Sequence, residues 1–202
     1  MKVDPATLSS DAAYFWQIAT IVPRPIAWTA TLNEDGSTNL APFSFFTGAS
    51  SDPPTCVISV SHHKSGAKKD TWRNVERTGE YVIHVVTDGL AAPMNETSRT
   101  VAYGVDELVA AGLTKLPSER VAVPRVAEAP VAMECRLDRI VEVGRNPATN
   151  CALIIGEILL WHVRDDLLVT GRLDVARLDA VGRMAGATYT RTRELFDMPR
   201  PK

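Results

Sequence analysis

The sequence lacks the short motifs by which many nucleotide-binding and hydrolytic enzymes are identified. It contains no G-x-G-x-x-G, no G-x-x-x-x-G-K-[ST], no H-E-x-x-H and no G-x-S-x-G. Histidine is scarce, and two of the four, His62 and His63, are adjacent, which places their side chains on opposite faces of an extended chain. Because no Cys-x-x-Cys pair accompanies them, we expect no metal site.

The chain also lacks an excess of charge and any long apolar run. Its 22 basic and 24 acidic residues give a formal net charge of −2, so we expect neither a nucleic-acid nor a membrane partner. No apolar run approaches the roughly 20 residues that span a bilayer, and MKVDPATLSSD lacks a signal peptide's apolar core. Cys56, Cys135 and Cys151 lie far apart in apolar runs, which favours buried reduced thiols. We expect one cytoplasmic domain over residues 1–202.

Strand patterns are abundant in the first half of the chain. β-Branched and aromatic residues predict strands at residues 26–32, 43–46, 55–61 and in YVIHVV, with NEDG as the turn to a returning strand at residues 38–41. Helical spacing predicts three helices, SSDAAYFWQIA with a serine cap, KKDTWRNVERTGE with Asp70 as cap and Gly79 as stop, and VDELVAAG.

The longest predicted strands lie in the second half. In VAMECRLDRIVEV, apolar residues alternate with Glu134, Arg136 and Asp138, which predicts one buried face and one face that is wet or against a partner. NPATN (residues 146–150) turns the chain into CALIIGEILLWHV, which is apolar on both faces and so predicted to be covered on both. Strands outnumber helices without regular β-α-β alternation, so a closed or split antiparallel barrel with a few peripheral helices fits best.

The segment NLAPFSFFTGASSDPP is the strongest candidate for a ligand site. On an extended backbone, Phe43 and Phe45 face one side while Ser44 and Phe46 face the other. Pro42 cannot donate to a ladder, which predicts interrupted pairing, and the small residues TGASS would let a ligand approach free main-chain amides. The alternative is that the phenylalanines are simply core residues.

A polar cluster downstream has the composition of a phosphate receptor. Hydroxyls, lysines and the amides at a helix start combine in this cluster. Its members are Ser59, Ser61, His62, Lys64, Ser65, Lys68, Lys69, Asp70 and Thr71. An apolar slot beside such a cradle describes a nucleotide-like ligand, although HHKSGAKKD could instead be an exposed, solvated loop.

Four segments together resemble a known family, the flavin-reductase-like, FMN-binding split-barrel proteins, which include flavoredoxins. They are IVPRPIAWTATLNEDGSTNLAPFSFFTGASSDPPTCVISV, KKDTWRNVERTGEYVIHVV, GEILLWHV and RMAGATYTRT, in the family's order over nearly the whole chain. The resemblance implies a mainly β fold, a split antiparallel barrel of Greek-key type. One departure is Thr47, where members often carry Asn, so the resemblance implies a backbone contact there.

The resemblance also implies the site. Residues 41–47 would run along the isoalloxazine ring, with Ser44 as a hydroxyl contact, while Ser61 and residues 68–71 would hold the ribityl phosphate. The tail would reach the flavin from the same chain or from the partner in a homodimer. The implied cofactor-binding residues are Ala41, Pro42, Phe43, Ser44, Phe45, Phe46, Thr47, Ser61, Lys68, Lys69, Asp70, Thr71, Tyr189 and Arg191.

The implied chemistry belongs to the cofactor, with NADH or NADPH giving a hydride to N5 of FMN. Three functions compete: a flavin reductase that can supply a partner monooxygenase, an FMN-dependent oxidoreductase or oxygenase with its own substrate, and an electron carrier that works with another protein. No side chain is predicted as acid or base. His162 remains open between a structural and a protonic role.

Overall fold

The computed structural model describes residues 1–63, 65–146 and 150–201. Its strands are β1 (Ala27–Leu32), β2 (Thr38–Phe43), β3 (Phe46–Ser51), β4 (Pro54–Ser61), β5 (Glu80–Val85), β6 (Lys115–Leu116), β7 (Arg125–Val126), β8 (Val131–Val143), β9 (Cys151–Val163), β10 (Leu168–Val169), β11 (Arg172–Leu173), β12 (Val181–Arg183) and β13 (Tyr189–Arg191). Its helices are α1 (Ser10–Thr20), α2 (Asp70–Thr78), α3 (Ala91–Glu96), α4 (Glu107–Ala110) and α5 (Val175–Leu178), with 3₁₀ turns at Pro5–Thr7, Asp88–Leu90 and Asp165–Leu167.

The main sheet is antiparallel throughout and curls on itself. Its strand order is β2-β1-β5-β8-β9-β4-β3, so the two edge strands, β2 and β3, are consecutive in the chain. Only Ser44 and Phe45 separate them, and the Phe45 carbonyl accepts a hydrogen bond from Ser59 N at 2.8 Å. Ala27, Phe43, Ile58, Tyr81 and Ile154, from five different strands, therefore belong to one buried cluster inside the curled sheet. The prediction of a mainly β, antiparallel fold is confirmed.

A second apolar cluster covers the outer face of β1, β2 and β5. Trp28, Leu40 and Val82 pack against Met94 of α3 and Leu108 of α4. Trp28 Nε1 donates to Thr97 Oγ1 at 2.9 Å, which fixes the chain after α3. The segment that follows α3 is thereby held beside β2, where it forms a wall of the candidate site.

Local signals for helices and turns are largely confirmed. Ser9 caps α1 by accepting from Ala12 N, and Gly79 ends α2 with φ of 71°, a conformation that suits glycine. The NEDG turn joins β1 to β2 as predicted. The prediction of Asp70 as a cap is wrong: Asp70 is the first helical residue, Lys69 holds the cap position, and no side chain caps this end.

The segment 43–46 is not one strand, and this prediction is wrong. Phe43 ends β2, Ser44 and Phe45 form a bend, and Phe46 begins β3. Pro42 does not interrupt the pairing either, since it lies opposite Trp28 and the ladder continues to Phe43. β2 lies at the sheet edge, where a missing N–H leaves no neighbour unpaired.

The two long strands are less regular than their patterns predict. Glu134, expected on a wet face, is 0% exposed, because residues 118–121 fold over it. In β9, Ala152 and Ile154 are buried, but Leu153 and Ile155 on the opposite face are only half-buried, so this chain alone does not cover both faces. The predicted turn NPATN falls largely on residues 147–149, outside the described residues, as does Lys64.

The cysteines agree with their predicted environment in part. Cys56 and Cys135 are buried free thiols, whereas Cys151 is a half-buried one. Across the described residues, the longest helices are too short and too polar to cross a membrane.

Candidate functional site

Three adjoining cavities form one groove along β2 and the start of α2. The outer cleft (about 740 Å³) lies against Ser61 and Lys68, the middle cavity (about 290 Å³) against Ala41 and Phe43, and the inner cavity (about 390 Å³) against Ser44. The middle cavity shares His63, Lys69, Asp70, Thr100 and Val101 with the outer cleft, and Pro42 and Ser98 with the inner cavity. The groove is therefore continuous.

Most of the residues named from the sequence line this groove. Residues 61 and 68–71 lie toward its outer end, residues 41–43 in its middle, and Ser44 and Tyr189 at its inner end. Two segments that are separate in the sequence are thus brought together by the fold.

Four of the named residues do not line the three cavities. The Phe45 ring lies 6.4 Å from that of Tyr14 and 5.7 Å from the guanidinium of Arg24, and Phe46 packs against the barrel interior. Thr47 Oγ1 donates to Gly48 O at 3.1 Å, and Arg191 pairs with Asp88 at 2.8 Å. Of the three phenylalanines, only Phe43 borders the groove.

The two adjacent lysines have different partners. Lys68 Nζ pairs with Glu76 at 2.8 Å and lies 4.8 Å from the Trp72 ring centroid. Lys69 is half-buried, and no described carboxylate lies within ion-pair distance of it. Burial lowers the pKa of Lys69, and its Nζ lies 5.9 Å from the centroid of the Phe43 ring. Lys69 is therefore a cation available to an anion in the outer part of the groove.

Thr71 adds a donor beside Lys69. Its side chain is almost fully buried, and its Oγ1 accepts from Asn39 Nδ2 at 2.9 Å. Since the hydroxyl oxygen is an acceptor in that bond, its own proton is left for an acceptor in the groove. Thr71 also lies in the first turn of α2, where main-chain N–H groups have no partner within the helix.

Two carboxylates block the free edge of β2 at the middle of the groove. Asp106 accepts from Thr38 N at 3.1 Å, and Glu107 accepts from Leu40 N at 2.8 Å. Glu107 is 8% exposed, and its pKa is raised to about 7 by burial and by the nearby charges of Asp70 and Asp106. The next residue at the same spacing is Pro42, which has no N–H to offer.

Arg24 holds the inner end together. It is 5% exposed and donates to the carbonyls of Ile18 (2.7 Å), Ile21 (2.6 Å) and Met184 (2.7 Å), while its Nε lies 3.3 Å from Ser44 Oγ. One guanidinium thus joins the end of α1, the bend between β2 and β3, and the C-terminal segment. Burial lowers the pKa of Arg24, and the charge of Arg183 lowers it further.

Sequence reasoning missed several groove residues. Arg24 lies in the segment IVPRPIAWTATL and could have been named from it, but two of its partners, Ser44 and Met184, are far away in sequence. Residues 97–101 and Glu107 reach the groove only because α3 and α4 pack on the second apolar cluster. Arg183 lies beside Tyr189, with its guanidinium 4.4 Å from that ring's centroid and hydrogen bonds to the Tyr189 hydroxyl and the Gly186 carbonyl.

His162 lies elsewhere, in a separate cavity with Arg125 and Arg164. Its Nε2 is 2.5 Å from Glu134 Oε1, and the same buried carboxylate accepts from Glu119 N and Arg120 N. The histidine therefore helps to fix a loop over β8, which is a structural role.

The chain matches the family described as "Flavin reductase like domain" over residues 19–176. This match covers most of the chain, so the protein belongs to that family.

Three solved structures place the family match in a wider context. Nitrilotriacetate monooxygenase component B from Bacillus cereus is 33% identical, covers 98% of both chains and superimposes with a TM-score of 0.94. The 2-nitrobenzoate 2-nitroreductase NbaA of Pseudomonas fluorescens is 29% identical, with a TM-score of 0.89 over 100% of this chain and 96% of that one. A split-barrel protein from Shewanella frigidimarina, 21% identical over the whole of both chains, has a TM-score of 0.85 and confirms the split-barrel fold.

Proposed function

We propose that this member of the flavin reductase-like family binds FMN in the groove and is reduced there by NADH or NADPH. Family membership makes a flavin-related oxidoreductase the starting point. FMN binding is supported by the continuity of the groove. It runs from the half-buried Lys69, which has no ion-pair partner among the described residues, to the inner cavity beside the β2–β3 bend.

The residues present fit FMN. Lys69 and the hydroxyl proton of Thr71 supply donors for a phosphate at one end, and a charged donor suits a phosphate oxygen. From Asn39, which bonds Thr71, to Ser44, the chain runs five residues along β2, or about 17 Å at about 3.4 Å per residue. That length suits a ribityl chain followed by a planar ring.

The protein would bind and orient the cofactor rather than supply an acid or base. Bound FMN would accept a hydride at N5 and pass its electrons to an acceptor. Lys69 and Thr71 would fix the phosphate, residues 41–43 would lie along the cofactor, and Ser44 would offer its hydroxyl. Residues 97–101 form the opposite wall and would keep water from one side. The sequence contains no G-x-G-x-x-G motif that would mark a separate nicotinamide-binding domain.

Delivery of reduced flavin to a separate oxygenase is the favoured physiological role. The similar Bacillus cereus protein is component B of a monooxygenase, which supports a two-component arrangement.

Assembly as a homodimer belongs to the same proposal. The outward face of β9 carries Leu153 and Ile155, which are only half-buried. A two-fold interface would use this face twice and bury at least about 1,200–2,000 Å². Light scattering of the FMN-loaded protein should give the mass of two chains, and a monomeric mass would refute the dimer.

The central test is an FMN titration followed by anaerobic addition of NADH or NADPH. We expect quenching of flavin fluorescence on binding and bleaching of the visible flavin band on reduction. Protein that leaves FMN fluorescence unchanged would refute the cofactor. Binding without bleaching by either nicotinamide would retain the cofactor and favour an electron carrier, whereas repeated turnover of added free flavin would favour the reductase.

A second candidate is an FMN-dependent enzyme with its own organic substrate. The inner cavity, with about 390 Å³ beside the proposed flavin position, favours it. The similar protein NbaA is named for reduction of an aromatic nitro compound, 2-nitrobenzoate. Oxidation of NADH or NADPH that requires such a compound, and not free flavin, would favour this function over the first.

A further inference from the structure

The inner cavity has an unusual charge balance. Two arginines line it, and the described lining residues include no Asp or Glu. Its lining consists of Tyr14, Ile18, Arg24, Ile26, Pro42, Ser44, Met94, Asn95, Ser98, Arg183, Gly186 and Tyr189. The outer cleft and the middle cavity differ, since Asp70 lines both and Glu107 also lines the middle one.

Hydrogen bonds at this end orient donors toward the cavity. Ser44 Oγ is placed to accept from Arg24 Nε, and the Tyr189 hydroxyl accepts from Arg183 Nη1. Because both oxygens act as acceptors in these bonds, the protons of both hydroxyls remain to be donated. Among the described residues no acceptor bonds Arg183 Nε. The free hydrogen-bonding capacity around these arginines therefore calls for an acceptor.

The rest of the lining is apolar or aromatic. Ile18, Ile26 and Met94 line it together with Pro42, and Tyr14 and Tyr189 add aromatic rings. Its volume of about 390 Å³ is at the small end of the about 300–1,000 Å³ common for ligand pockets. A small, flat, apolar body with one anionic group would satisfy both parts of this lining.

We propose that the inner cavity binds a small aromatic carboxylate, with the carboxylate toward Arg183 and the hydroxyl of Tyr189. This inference rests on the proposed function in one respect: the ligand would lie next to the flavin, across Pro42, which borders both cavities. Arg183 makes the direct ion pair, for which a guanidinium suits a planar carboxylate. Arg24 adds positive charge but makes no direct bond to the ligand, because its N–H groups are bound to three carbonyls and to Ser44 Oγ.

The cavity also discriminates against neutral aromatic amides. A neutral ligand of the same shape would leave the arginine charges without a counter-ion and would place an N–H₂ group among donors. An amide of this kind therefore makes a matched probe for the contribution of charge.

The experiment compares benzoate with benzamide by calorimetry on flavin-free protein, and then repeats the benzoate titration with FMN bound. We expect benzoate to bind about 10- to 100-fold more tightly than benzamide, the range of one charge-assisted hydrogen bond. Benzoate should bind the FMN-loaded protein too and perturb the visible flavin spectrum. Equal affinities for the two probes, or displacement of benzoate by FMN, would overturn the proposal.

Variants separate the site from the rest of the fold. Arg183→Gln should abolish the preference for benzoate, whereas Arg139→Gln, which removes an exposed charge paired with Asp138, should keep it. If Arg183→Gln does not fold, Tyr189→Phe keeps the ring and removes one donor, and a several-fold loss of benzoate affinity is expected. Unchanged benzoate binding in folded Arg183→Gln would overturn the assignment. Benzoate selectivity in protein that fails to bind FMN would refute the proposed function while retaining the carboxylate site.

Discussion

The two ends of the groove are both positively charged, yet they are built differently. The outer end gathers its cation and hydroxyl, Lys69 and Thr71, from one short stretch of sequence. The inner end brings Arg24, Ser44 and Arg183 together from three distant parts of the chain. The outer end is thus a binding site formed within one short segment, whereas the contacts at the inner end hold several distant segments together.

The choice of cation follows from this difference. Lys69 presents a single ammonium on a flexible stem, which suits a ligand that arrives from solvent. Arg24 presents a planar set of donors, and it uses them on three main-chain carbonyls, of which that of Ile18 is buried. Loss of the lysine should affect the ligand, and loss of the arginine should affect the fold.

The largest effect that tests this comparison is expected from Arg24→Ala. It leaves the carbonyls of Ile18, Ile21 and Met184 without their donor, and a lost bond to a charged group costs about 1.5–3 kcal/mol each before water enters. We expect the free energy of unfolding to fall by about 3 kcal/mol or more, measured by urea denaturation of flavin-free protein. Arg191→Ala, which removes an exposed ion pair with Asp88, should change it little. Similar losses of unfolding free energy in both variants would mean that Arg24 stabilises the fold no more than an exposed ion pair does.

The next effect separates two neighbouring lysines. Lys69→Ala should weaken FMN binding about 10- to 100-fold, because it removes a charge-assisted bond worth roughly 1.5–3 kcal/mol. Lys68→Ala should weaken it much less, since Lys68 already pairs with Glu76. The rate of flavin reduction at saturating FMN should be nearly unchanged in both variants. Fluorescence titration measures the affinities, and a larger loss in Lys68→Ala would place the phosphate nearer Glu76.

How much of the candidate site could be predicted from the sequence depends on how far apart its residues lie along the chain. The outer end was predicted from the Ser59–Thr71 order of hydroxyls and lysines, although the sequence alone could not rank Lys68 against Lys69. That ranking needs the position of Glu76, eight residues further along. Of the inner end, the sequence predicted Pro42 and Ser44 within the candidate ligand segment, and Tyr189 came from the family resemblance. The burial of Glu134 was missed because alternation along a strand gives no information on the loop that covers it.

A smaller effect concerns Glu107, the carboxyl at the middle of the groove. Its pKa is raised from 4.5 to about 7, so the folded protein holds its proton more tightly than the unfolded chain does. The stability that this provides is fully present below about pH 4.5 and is lost as the pH rises through about 7. Relative to Glu107→Gln, the wild-type protein should therefore lose stability on the order of 3 kcal/mol over this window, at about 1.4 kcal/mol per unit of pKa shift.

Urea denaturation of flavin-free protein at several pH values measures that difference. His84 is a useful internal reference, because burial lowers its pKa to about 4 and its Nε2 accepts from Val126 N, which requires the neutral ring. The contribution of His84 to stability has the opposite pH dependence: it is present above about pH 6.5 and is lost as the pH falls toward about 4. Glu107→Gln should leave that acid-side loss in place. A pH-independent difference between wild type and variant would mean that folding does not raise the pKa of Glu107.

The smallest expected effect is at Thr47, the position where the family resemblance implies a backbone contact. Its hydroxyl donates to Gly48 O and borders none of the three cavities, so Thr47→Ala should change FMN affinity by less than about 3-fold, well under one charge-assisted hydrogen bond. Ser44→Ala is the matched variant, since it removes a hydroxyl only three residues away that does line the inner cavity. We expect a several-fold loss of FMN affinity there, because one neutral hydrogen bond is worth about 0.5–1.5 kcal/mol. If Thr47→Ala weakens FMN more than Ser44→Ala does, the flavin follows β3 rather than the bend, and the inner cavity would no longer lie beside it.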